Sequence, residues 1–485
     1  MKSNRISMAV SAACLALLAG CANVSKDFVE PPSAAPAAFR HADPAAVDSA
    51  RLPAAWWTIY NDATLNALEQ RAVTGSPSVR ASGQRLMQAQ AQLNALRSSQ
   101  LPSVNAGAGA SNSRTSARTS QGLALGGRSI EGNNYSVGAS LSWELDLWGR
   151  VRRVIEAADG QALAAQDERD GVILLLSAQV AQTYWQLRGL DAEIAILNGA
   201  LGARREAEQV VEARFKGGLT NELDLSRARI ERANAESDLH EAARQRDALE
   251  HALATLVGAS PSTPLVAANA GTELPAPPAI PVGLPASLLA QRPDLAASVA
   301  NLRSAHAQVG AAEASFYPSV SLTGNFGFAS EALHDITSGA ARQFSLGPLA
   351  VTLPVFDAGR NRANLALAQA RYQEALATHQ GRLLTALREV EDALSDVHQR
   401  RLQGETQAQS QQAATRALLV ARARYERGLS NYLDVTDAQR SALAADRAAV
   451  QIRTQRLLAS AAVARALGGG WKQDAPAIAQ APAQQ

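Results

Sequence analysis

A chain of 485 residues is long enough for two or three ordinary domains, and its 47% apolar residues can form a substantial core. Aromatic residues make up only 4% while alanine is abundant, a composition that favours long, closely packed helices over a globular enzyme. Acidic and basic residues are mixed along the chain, and the net charge of +2 excludes the concentrated basic surface that nucleic-acid binding requires.

Residues 1–20 have the pattern of a lipoprotein signal peptide. Lys2 and Arg5 form a short positive region, and the apolar run after it is too short to span a bilayer. The Leu-Ala-Gly-Cys sequence ending at Cys21 resembles a bacterial lipobox, which implies cleavage before Cys21 and covalent lipid on it. The residue after Cys21 is Ala22 and not an aspartate, which by the same resemblance implies sorting to the outer membrane. An ordinary secretory signal followed by a chance cysteine is the alternative.

Proline marks the boundaries of the predicted segments. Residues 21–60 form a lipidated lead-in with five prolines, and residues 261–285 hold seven prolines and form a linker. Residues 468–485 are mainly glycine, alanine, proline and glutamine, and they predict a disordered tail. The two remaining segments, 61–260 and 286–467, are each predicted to contain a short helix, a β-hairpin and two long helices.

An internal repeat relates the two halves of the chain. Residues 213–224 return as residues 423–434, an offset of 210, and both copies contain Gly-Leu-Thr/Ser-Asn. The same offset relates Gly149-Arg150 to Gly359-Arg360. The sequence therefore predicts two tandem structural repeats. Their period is too long for a solenoid, which indicates pseudo-symmetry within a larger assembly.

Each copy contains an alternating pattern typical of membrane-spanning strands. At residues 134–147 aromatic and aliphatic residues alternate with small polar ones, over more than the ~9–11 residues that a tilted strand needs to cross hydrocarbon. Its predicted partner is 102–114. In the second copy the strands are predicted near 320–328 and 349–355, and Gly347-Pro348 predicts a bulge. Long polar loops join the strands of each hairpin.

Four such strands cannot close a barrel within one chain. An open sheet edge in hydrocarbon costs several kcal/mol for each unpaired backbone group, and single-chain barrels begin at about 8 strands. Two chains would give about 8 strands and a filled lumen, whereas three would give about 12 and room for a channel. The sequence thus predicts an α+β membrane protein with a transmembrane β-barrel that several chains share. A soluble hairpin on a helical protein is the alternative.

Long helices are predicted at 150–214 and 360–426, each about 100 Å in length. Their leucines and valines recur in alternating steps of three and four residues, a pattern typical of antiparallel coiled-coil packing. Second helices are expected at 222–257 and 432–467, and shorter ones before the strands at 78–100 and 293–315. A globular helical bundle is the alternative, but bundle helices are rarely so long.

The repeated turn that follows each long helix is the candidate functional site. Its residues are Gly218, Thr220, Asn221 and Asp224 in the first copy and Gly428, Ser430, Asn431 and Asp434 in the second. The glycine suits the left-handed end of a helix, the asparagine can cap the next helix, and the aspartate can complete a capping box. This structural role alone explains the motif, without any functional role. Asp437 lies one turn beyond Asp434 on the same face, and no cap requires it.

Taken together, these features resemble the TolC/OprM superfamily of outer-membrane efflux proteins, and specifically its lipidated NodT-like branch. The matching segments are Trp56-Trp57, Gln291 to Leu295, Phe316 to Leu322, Phe356 to Arg360 and the two turns. The resemblance implies a homotrimer with a twelve-stranded barrel in the outer membrane and a twelve-helix tunnel in the periplasm. It also implies docking to a periplasmic adaptor protein and to an inner-membrane pump of the resistance-nodulation-division class.

The same resemblance assigns a gate to the second turn. It implies that Asp434 and Asp437 ring the periplasmic aperture of the trimer, and that Tyr425 belongs to the polar network that locks it. Carboxylates that converge on an axis repel one another and attract cations. Ser430 stands where the TolC pattern has an arginine, so we expect a different lock.

No enzyme chemistry, metal or cofactor other than the lipid is expected. The seven histidines are scattered, and the sequence contains no HExxH, paired cysteines, P-loop or GxSxG motif. The predicted function is passive conduction of drugs or other toxic small molecules out of the periplasm. A type I protein-secretion exit duct and a structural envelope spacer are the alternatives. The lipobox argues against the first and the alternating strands against the second.

Overall fold

The computed structural model describes residues 26–31, 36, 38–41, 52–268, 273–280 and 292–470. The signal peptide, Cys21, much of the predicted linker and the tail beyond residue 470 lie outside these described residues. The chain divides into two units, and each takes segments from both halves of the sequence. Unit 1 comprises Met1–Pro31, Leu86–Ala165 and Ser298–His379, and unit 2 comprises Pro32–Arg85, Gln166–Ala297 and Gln380–Gln485.

Each half of the chain contains, in order, a helix, two strands and two long helices, with further short helices beside them. After a 3-10 helix at Trp56–Tyr60 the elements are α1 (Ala63–Gly75), α2 (Pro77–Arg97), β1 (Ser103–Arg114), α3 (Ser120–Ala124), β2 (Glu131–Leu145), α4 (Arg150–Lys216), α5 (Glu222–Leu256), α6 (Pro293–Ala314), β3 (Ser319–Ser330), β4 (Arg342–Thr352), α7 (Arg360–Glu426) and α8 (Tyr432–Ala466). The long helices α4 and α7 have 67 residues each, and the second helices α5 and α8 have 35 residues each. Within the described part of the chain, no helix combines the length and apolar character needed to cross a membrane.

The long helices and the helices that precede the strands agree closely with the sequence prediction. The long helices begin at the predicted residues, and α4 continues two residues further than expected, to Lys216. The 3-10 helix, α1 and α3 were not predicted, and α3 lies in a segment that was expected to be a polar loop. α1 begins where the side chain of Asp62 accepts the N–H of Leu65 at 2.9 Å, and it buries Leu65, Leu68 and Ala72 on one face.

The four strands form one antiparallel sheet in the order β1-β2-β3-β4. Cross-strand partners point to the same face of a sheet, so the register shows which side chains share a face. One apolar row is Ala106, Ala139, Phe326 and Phe344, and the next, polar row is Asn105, Ser140, Asn325 and Ser345. The predicted separation of apolar and polar faces is therefore present across all four strands.

The predicted bulge at Gly347-Pro348 is confirmed in β4. Two steps along β3, from Leu322 to Gly324, face three steps along β4, from Leu349 to Leu346. An extra residue would normally move every later side chain to the opposite face. In β4 the bulge instead keeps both Leu346 and Leu349 on the apolar face, although they are an odd number of residues apart.

Two predicted strands extend too far into the turns that start the long helices. β2 ends at Leu145 because the carboxylate of Asp146 accepts the N–H groups of Val151 and Arg152, at 3.0 and 2.8 Å. β4 ends at Thr352, opposite Ser319, the first residue of its partner β3, and the carboxylate of Asp357 further on accepts N–H groups at the start of α7. These carboxylates cap the long helices, and a capping residue cannot continue a strand.

In unit 1 an extended N-terminal segment contacts the helices that adjoin the sheet. The Nη2 atom of Arg153 donates to the carbonyl of Lys26 at 3.1 Å and lies 3.4 Å from the carboxylate of Asp27. The ring of Phe28 packs edge-on against His306, with a centroid distance of 5.7 Å. Because Arg153 belongs to the first turn of α4, this segment is held close to the end of β2.

The core of unit 2 is built around aromatic side chains. The hydroxyl of Tyr60 lies 2.7 Å from Ser460 Oγ on α8, and the indole N–H of Trp56 donates to Ser177 Oγ on α4 at 3.1 Å. Trp185 packs against Tyr60 with a centroid distance of 5.3 Å. These contacts attach the 3-10 helix to α4 and α8. They bury the aromatic rings and at the same time give the indole N–H of Trp56 and the hydroxyl of Tyr60 hydrogen-bond partners.

Glu69 of α1 is an unusual member of this core. Its side chain is 0% exposed, and neither carboxylate oxygen has a hydrogen-bond partner among the described residues. Burial raises the pKa of Glu69 to about 9, because a charged carboxylate is poorly solvated in an apolar core. The group is therefore neutral at pH 7.

Candidate gate at the paired helix turns

The two predicted turns have the same backbone. Gly218, between α4 and α5, has a φ of 67°, and Gly428, between α7 and α8, has a φ of 72°. In both turns the residue after the glycine donates its N–H to the carbonyl five positions earlier, at 2.8 Å. This hydrogen bond and the left-handed glycine define a Schellman end, as the sequence predicted.

Both asparagines cap the helices that follow. The Oδ1 atom of Asn221 accepts the N–H of Asp224 at 2.9 Å, and that of Asn431 accepts the N–H of Asp434 at 3.1 Å. The carboxylate of Asp224 accepts a hydrogen bond from the hydroxyl of Thr220 at 2.8 Å. The first turn is thus stabilised locally, with the Thr220 hydroxyl as the partner of Asp224, and the capping box predicted for Asp224 stays a prediction.

The two turns differ at Ser430, the counterpart of Thr220. The Oγ atom of Ser430 is buried and has no hydrogen-bond partner within the described chain. Ser430 and Asp434 line a surface groove of about 630 Å³ together with Arg416 and Arg424 of α7. The second turn therefore presents an acidic group and two guanidinium groups to one groove.

Tyr425 joins the two turns by ring contacts. It packs against Tyr432 with a centroid distance of 5.6 Å, and the guanidinium of Arg214 lies 4.8 Å from the centre of its ring. Tyr432 is buried beside Leu225 and Val435, and its burial raises the pKa of its hydroxyl to about 12. Aromatic packing and a cation–π contact therefore hold the end of α4 to the end of α7.

Asp434 and Asp437 lie on consecutive turns of α8, and both are exposed in the single chain. The side chain of Asp437 is 61% exposed, and its Oδ1 atom lies 3.8 Å from Nη1 of Arg440. Ser430, Asp434, Asp437 and Tyr425 are thus all at the turn end of the α7–α8 pair. Exposed carboxylates on one helix face are available to groups from outside the chain.

Sequence reasoning missed a charged cluster next to Asp437. The Nε atom of Arg440 donates to Oε1 of Glu231 on α5 at 2.8 Å, and Nη2 of Arg440 bonds to the same oxygen. The other oxygen of Glu231 lies 3.2 Å from Nη2 of Arg204 on α4. Three helices of unit 2 therefore meet at one carboxylate, whose side chain is only 4% exposed.

A second charged contact lies seven residues further along α5 and α8 and eleven residues earlier on α4. Arg447 of α8 donates to Glu193 of α4 at 2.8 Å and lies 3.4 Å from Asp238 of α5. The sequence contained a signal, because Arg440 and Arg447 share the heptad spacing of Glu231 and Asp238. It did not show that α5 and α8 are neighbours, so the pairing could not be predicted.

The described residues contain no group of three or more His, Cys, Asp or Glu side chains that could hold a metal ion. Cys21, the predicted lipidation site, lies outside the described residues. The contacts described at the turns are ion pairs, hydrogen bonds and ring packing between helices.

Comparison with known proteins shows the family. The sequence model of a family described as outer membrane efflux protein matches residues 68–259 and 284–469. Outer membrane protein OprJ of Pseudomonas aeruginosa is 35% identical over 421 residues, which cover 86% of each chain. Probable outer membrane lipoprotein SilC of Salmonella typhimurium is 28% identical over 94% of this chain and 97% of SilC. The solved structure of the Campylobacter jejuni CmeC outer membrane channel superposes with a TM-score of 0.86 at 26% identity, covering 93% of this chain and 96% of CmeC.

These matches confirm the resemblance to outer-membrane efflux proteins and do not favour the secretion exit duct. They extend over both halves of the chain, and the family is one of channel proteins and not of enzymes. The chain belongs to the outer membrane efflux protein family, and it is the outer-membrane channel component of an efflux system.

Proposed function

We propose that three copies of this chain form one channel, to which each copy contributes four strands of a twelve-stranded barrel. The observation that carries the proposal is the order of the sheet, in which β1 and β4 are the edge strands. An unpaired edge in hydrocarbon is costly, and pairing β1 of one copy with β4 of the next removes every edge. About twelve strands also leave room for a water-filled bore, which about eight do not.

The exposed apolar side chains of the sheet support this placement. In β4, Phe344 is 78% exposed and Leu346 is 76% exposed, and Phe326 of β3 is also exposed. Water-facing sheets rarely present such side chains together on one face, whereas lipid-facing strands do. The opposite face carries serine, asparagine and glycine, which suit a water-filled lumen.

Lipid on Cys21 would anchor the channel to the same membrane. Lys26 follows Cys21 by five residues and is held by Arg153, in the unit that contains the sheet. Five extended residues reach at most about 18 Å, so an acyl group on Cys21 would remain close to the strands. The name of the relative SilC, a probable outer membrane lipoprotein, agrees with this assignment.

The two halves of the chain are then copies of one unit, and the helices extend into the periplasm as a coiled-coil barrel. The equal lengths of α4 and α7 and of α5 and α8 support the repeat, as do the two matches to one family model. In the trimer, Asp434 and Asp437 line the periplasmic aperture. The partners are a periplasmic adaptor protein and an inner-membrane pump of the resistance-nodulation-division type. The cargo is a drug or another toxic small molecule.

The test uses full-length, lipidated protein purified in detergent. Native mass spectrometry should give the mass of three acylated chains, and electron microscopy should show a hollow particle. In planar bilayers the protein should conduct ions, and Asp437→Ala should alter either its conductance or its block by cations. A monomer, or a trimer that does not conduct, would contradict the proposed channel.

A further inference from the structure

Two arginines lie at the loop end of the sheet, on the face that carries the exposed apolar side chains. We propose that Arg342 of one copy and Arg114 of the next together bind a phosphate group of a phosphorylated glycolipid in the outer leaflet of the membrane. This inference rests on the proposed shared barrel, and it adds a ligand class and a binding site at each junction between copies.

The strand register places both arginines on the apolar face. Arg342 is the first residue of β4, and it pairs with Phe328 of that face. Arg114 is the last residue of β1, eight residues after Ala106, so the two-residue period of a strand puts both side chains on the same face. Apart from Glu131, the register partner of Arg114, no other residue on this face of the four described strands is charged.

This position corresponds to the surface of a bilayer. A lipid-facing arginine is costly at the middle of a membrane and costs little near the interface. From the two arginines toward the helix end of the sheet, the same face continues with the exposed side chains of Phe326, Phe344 and Leu346. The guanidinium groups therefore lie at the depth of the lipid headgroups. Because the helices leave the opposite end of the sheet toward the periplasm, these headgroups belong to the outer leaflet.

Closure of the barrel brings the two arginines together. β1 and β4 are the edge strands, and β1 ends with Arg114 at the loop end, where β4 begins with Arg342. When β4 of one copy pairs with β1 of the next along its full length, in the antiparallel direction, these terminal residues become neighbours. Like charges on neighbouring strands destabilise a sheet. An anion between the two guanidinium groups removes that repulsion.

The described part of the chain does not neutralise this pair. Arg342 is exposed, and its side chain has no ion pair or hydrogen bond with any residue that the structure describes. Arg114 makes a long hydrogen bond to Ser129 Oγ, at 3.4 Å, and its Nη1 atom lies 3.7 Å from the carboxylate of Glu131. Both guanidinium groups thus keep donors free, and a phosphate is a group that such donors bind in a bidentate geometry.

A lipid fits this position better than a free anion. Phe344 and Leu346 follow Arg342 on the same strand, and their side chains are exposed on the same face. A phosphorylated lipid places its phosphate at the arginines and its acyl chains against these apolar groups, so one ligand satisfies both. A free phosphate would leave the apolar groups without a partner.

The test measures lipid binding by the full-length, acylated protein in detergent. Native mass spectrometry counts the molecules of bis-phosphorylated lipid A that bind as its concentration is raised. The wild type should bind three molecules for each trimer, one at each junction. Arg114→Gln and Arg342→Gln should each weaken binding about tenfold, because each removes one of two charge-assisted contacts. Glu131→Gln removes the nearby acid and should tighten binding about twofold.

The controls separate the source of the phosphate from the effect of net charge. Lipid A without its phosphates, phosphatidylglycerol and inorganic phosphate should each bind more weakly than lipid A. Arg362→Gln removes an exposed arginine near the start of α7, at the helix end of the sheet, and should bind lipid A as the wild type does. Arg114→Lys keeps a positive charge and should lose less affinity than Arg114→Gln.

Several results would overturn the inference. Equal binding of lipid A with and without its phosphates would do so, as would tighter binding of phosphatidylglycerol or inorganic phosphate. Six bound molecules for each trimer would mean that the two arginines bind separately, and an equal loss in Arg362→Gln would mean that net charge alone attracts the lipid. If the protein is a conducting trimer, such a result removes only the lipid site. If the wild type is not a trimer, the shared barrel itself is wrong.

Discussion

Replacing the buried Glu69 by glutamine should change how the stability of the protein depends on pH. Glu69 is buried in the core of unit 2, where no residue that the structure describes hydrogen-bonds to its carboxylate, and its pKa is raised from 4.5 to about 9. In the unfolded chain the carboxyl group is exposed to water and ionises near its ordinary value. Glutamine has almost the same shape and does not titrate.

The expected magnitude follows from proton linkage. Between pH 4.5 and pH 9 the folded protein keeps a proton on Glu69 that the unfolded chain has lost, so the free energy of unfolding falls as pH rises. The slope for one such proton is about 1.4 kcal/mol for each pH unit. Between pH 5 and pH 8 the wild type should therefore lose about 4 kcal/mol relative to Glu69→Gln. Any cost of burying the glutamine amide is independent of pH and cancels from this difference.

Thermal unfolding of the detergent-solubilised protein, followed by circular dichroism from pH 5 to pH 8, measures the effect. The melting temperature of Glu69→Gln should rise steadily relative to the wild type. Glu241→Gln is the control, because hydrogen bonds from Arg244 and Gln245 lower the pKa of this exposed acid to about 2. Glu241 is ionised in both the folded and the unfolded protein above pH 5. The difference in melting temperature between Glu241→Gln and the wild type should therefore stay constant across this pH range. A constant difference for Glu69→Gln as well would refute the reasoning.

Three further outcomes are expected. Asn431→Ala removes the α8 cap and should cost about 1 kcal/mol, seen as faster hydrogen exchange at residues 432–435 and unchanged exchange in α2. Gly428→Ala places a Cβ at a φ of 72° and should destabilise the turn by about 1–2 kcal/mol. Gly83→Ala, in open space on α2, should be neutral or stabilising in the same thermal assay. Cys21→Ser should abolish acylation, measured as the absence of acyl mass on the peptide that contains residue 21, while the purified chains still assemble; failure to assemble would mean that the lipid holds the chains together.

The long helices and the faces of the sheet could be predicted because each depends on a repeating local pattern. A seam with steps of three and four residues, free of proline, indicates a long helix wherever it packs. Period-two alternation likewise assigned Ala139 and Phe326 to one face, and Gly347-Pro348 marked the bulge before any partner strand was known. The turns were predictable for the same reason, since a glycine and a capping asparagine act within a few residues.

The features that were missed depend on contacts between distant parts of the chain. The amino-acid composition of α1 does not distinguish it from an exposed segment. Its burial becomes apparent only when the positions of the helices that cover Leu65 are known. The pairing of Arg440 with Glu231 joins residues 209 positions apart, close to the repeat offset, but repeat symmetry does not require the two second helices to touch. The end of β2 was overestimated because capping by Asp146 competes with an alternation that continues past it, and the end of β4 because its partner β3 begins only at Ser319.

Cross-linking of the sheet edges in the outer membrane tests the shared barrel most directly. With Cys14 removed and Cys21 acylated, the mature chain would offer no free thiol, so introduced cysteines report alone. One cysteine is placed on β1, at Ala106 or Ala108, and one on β4, at Phe344 or Leu346. After oxidation, at least one pairing should give a covalent trimer on a denaturing gel, while single-cysteine variants give none. If every pairing runs as a monomer, β1 and β4 do not meet between chains, and the shared barrel is contradicted.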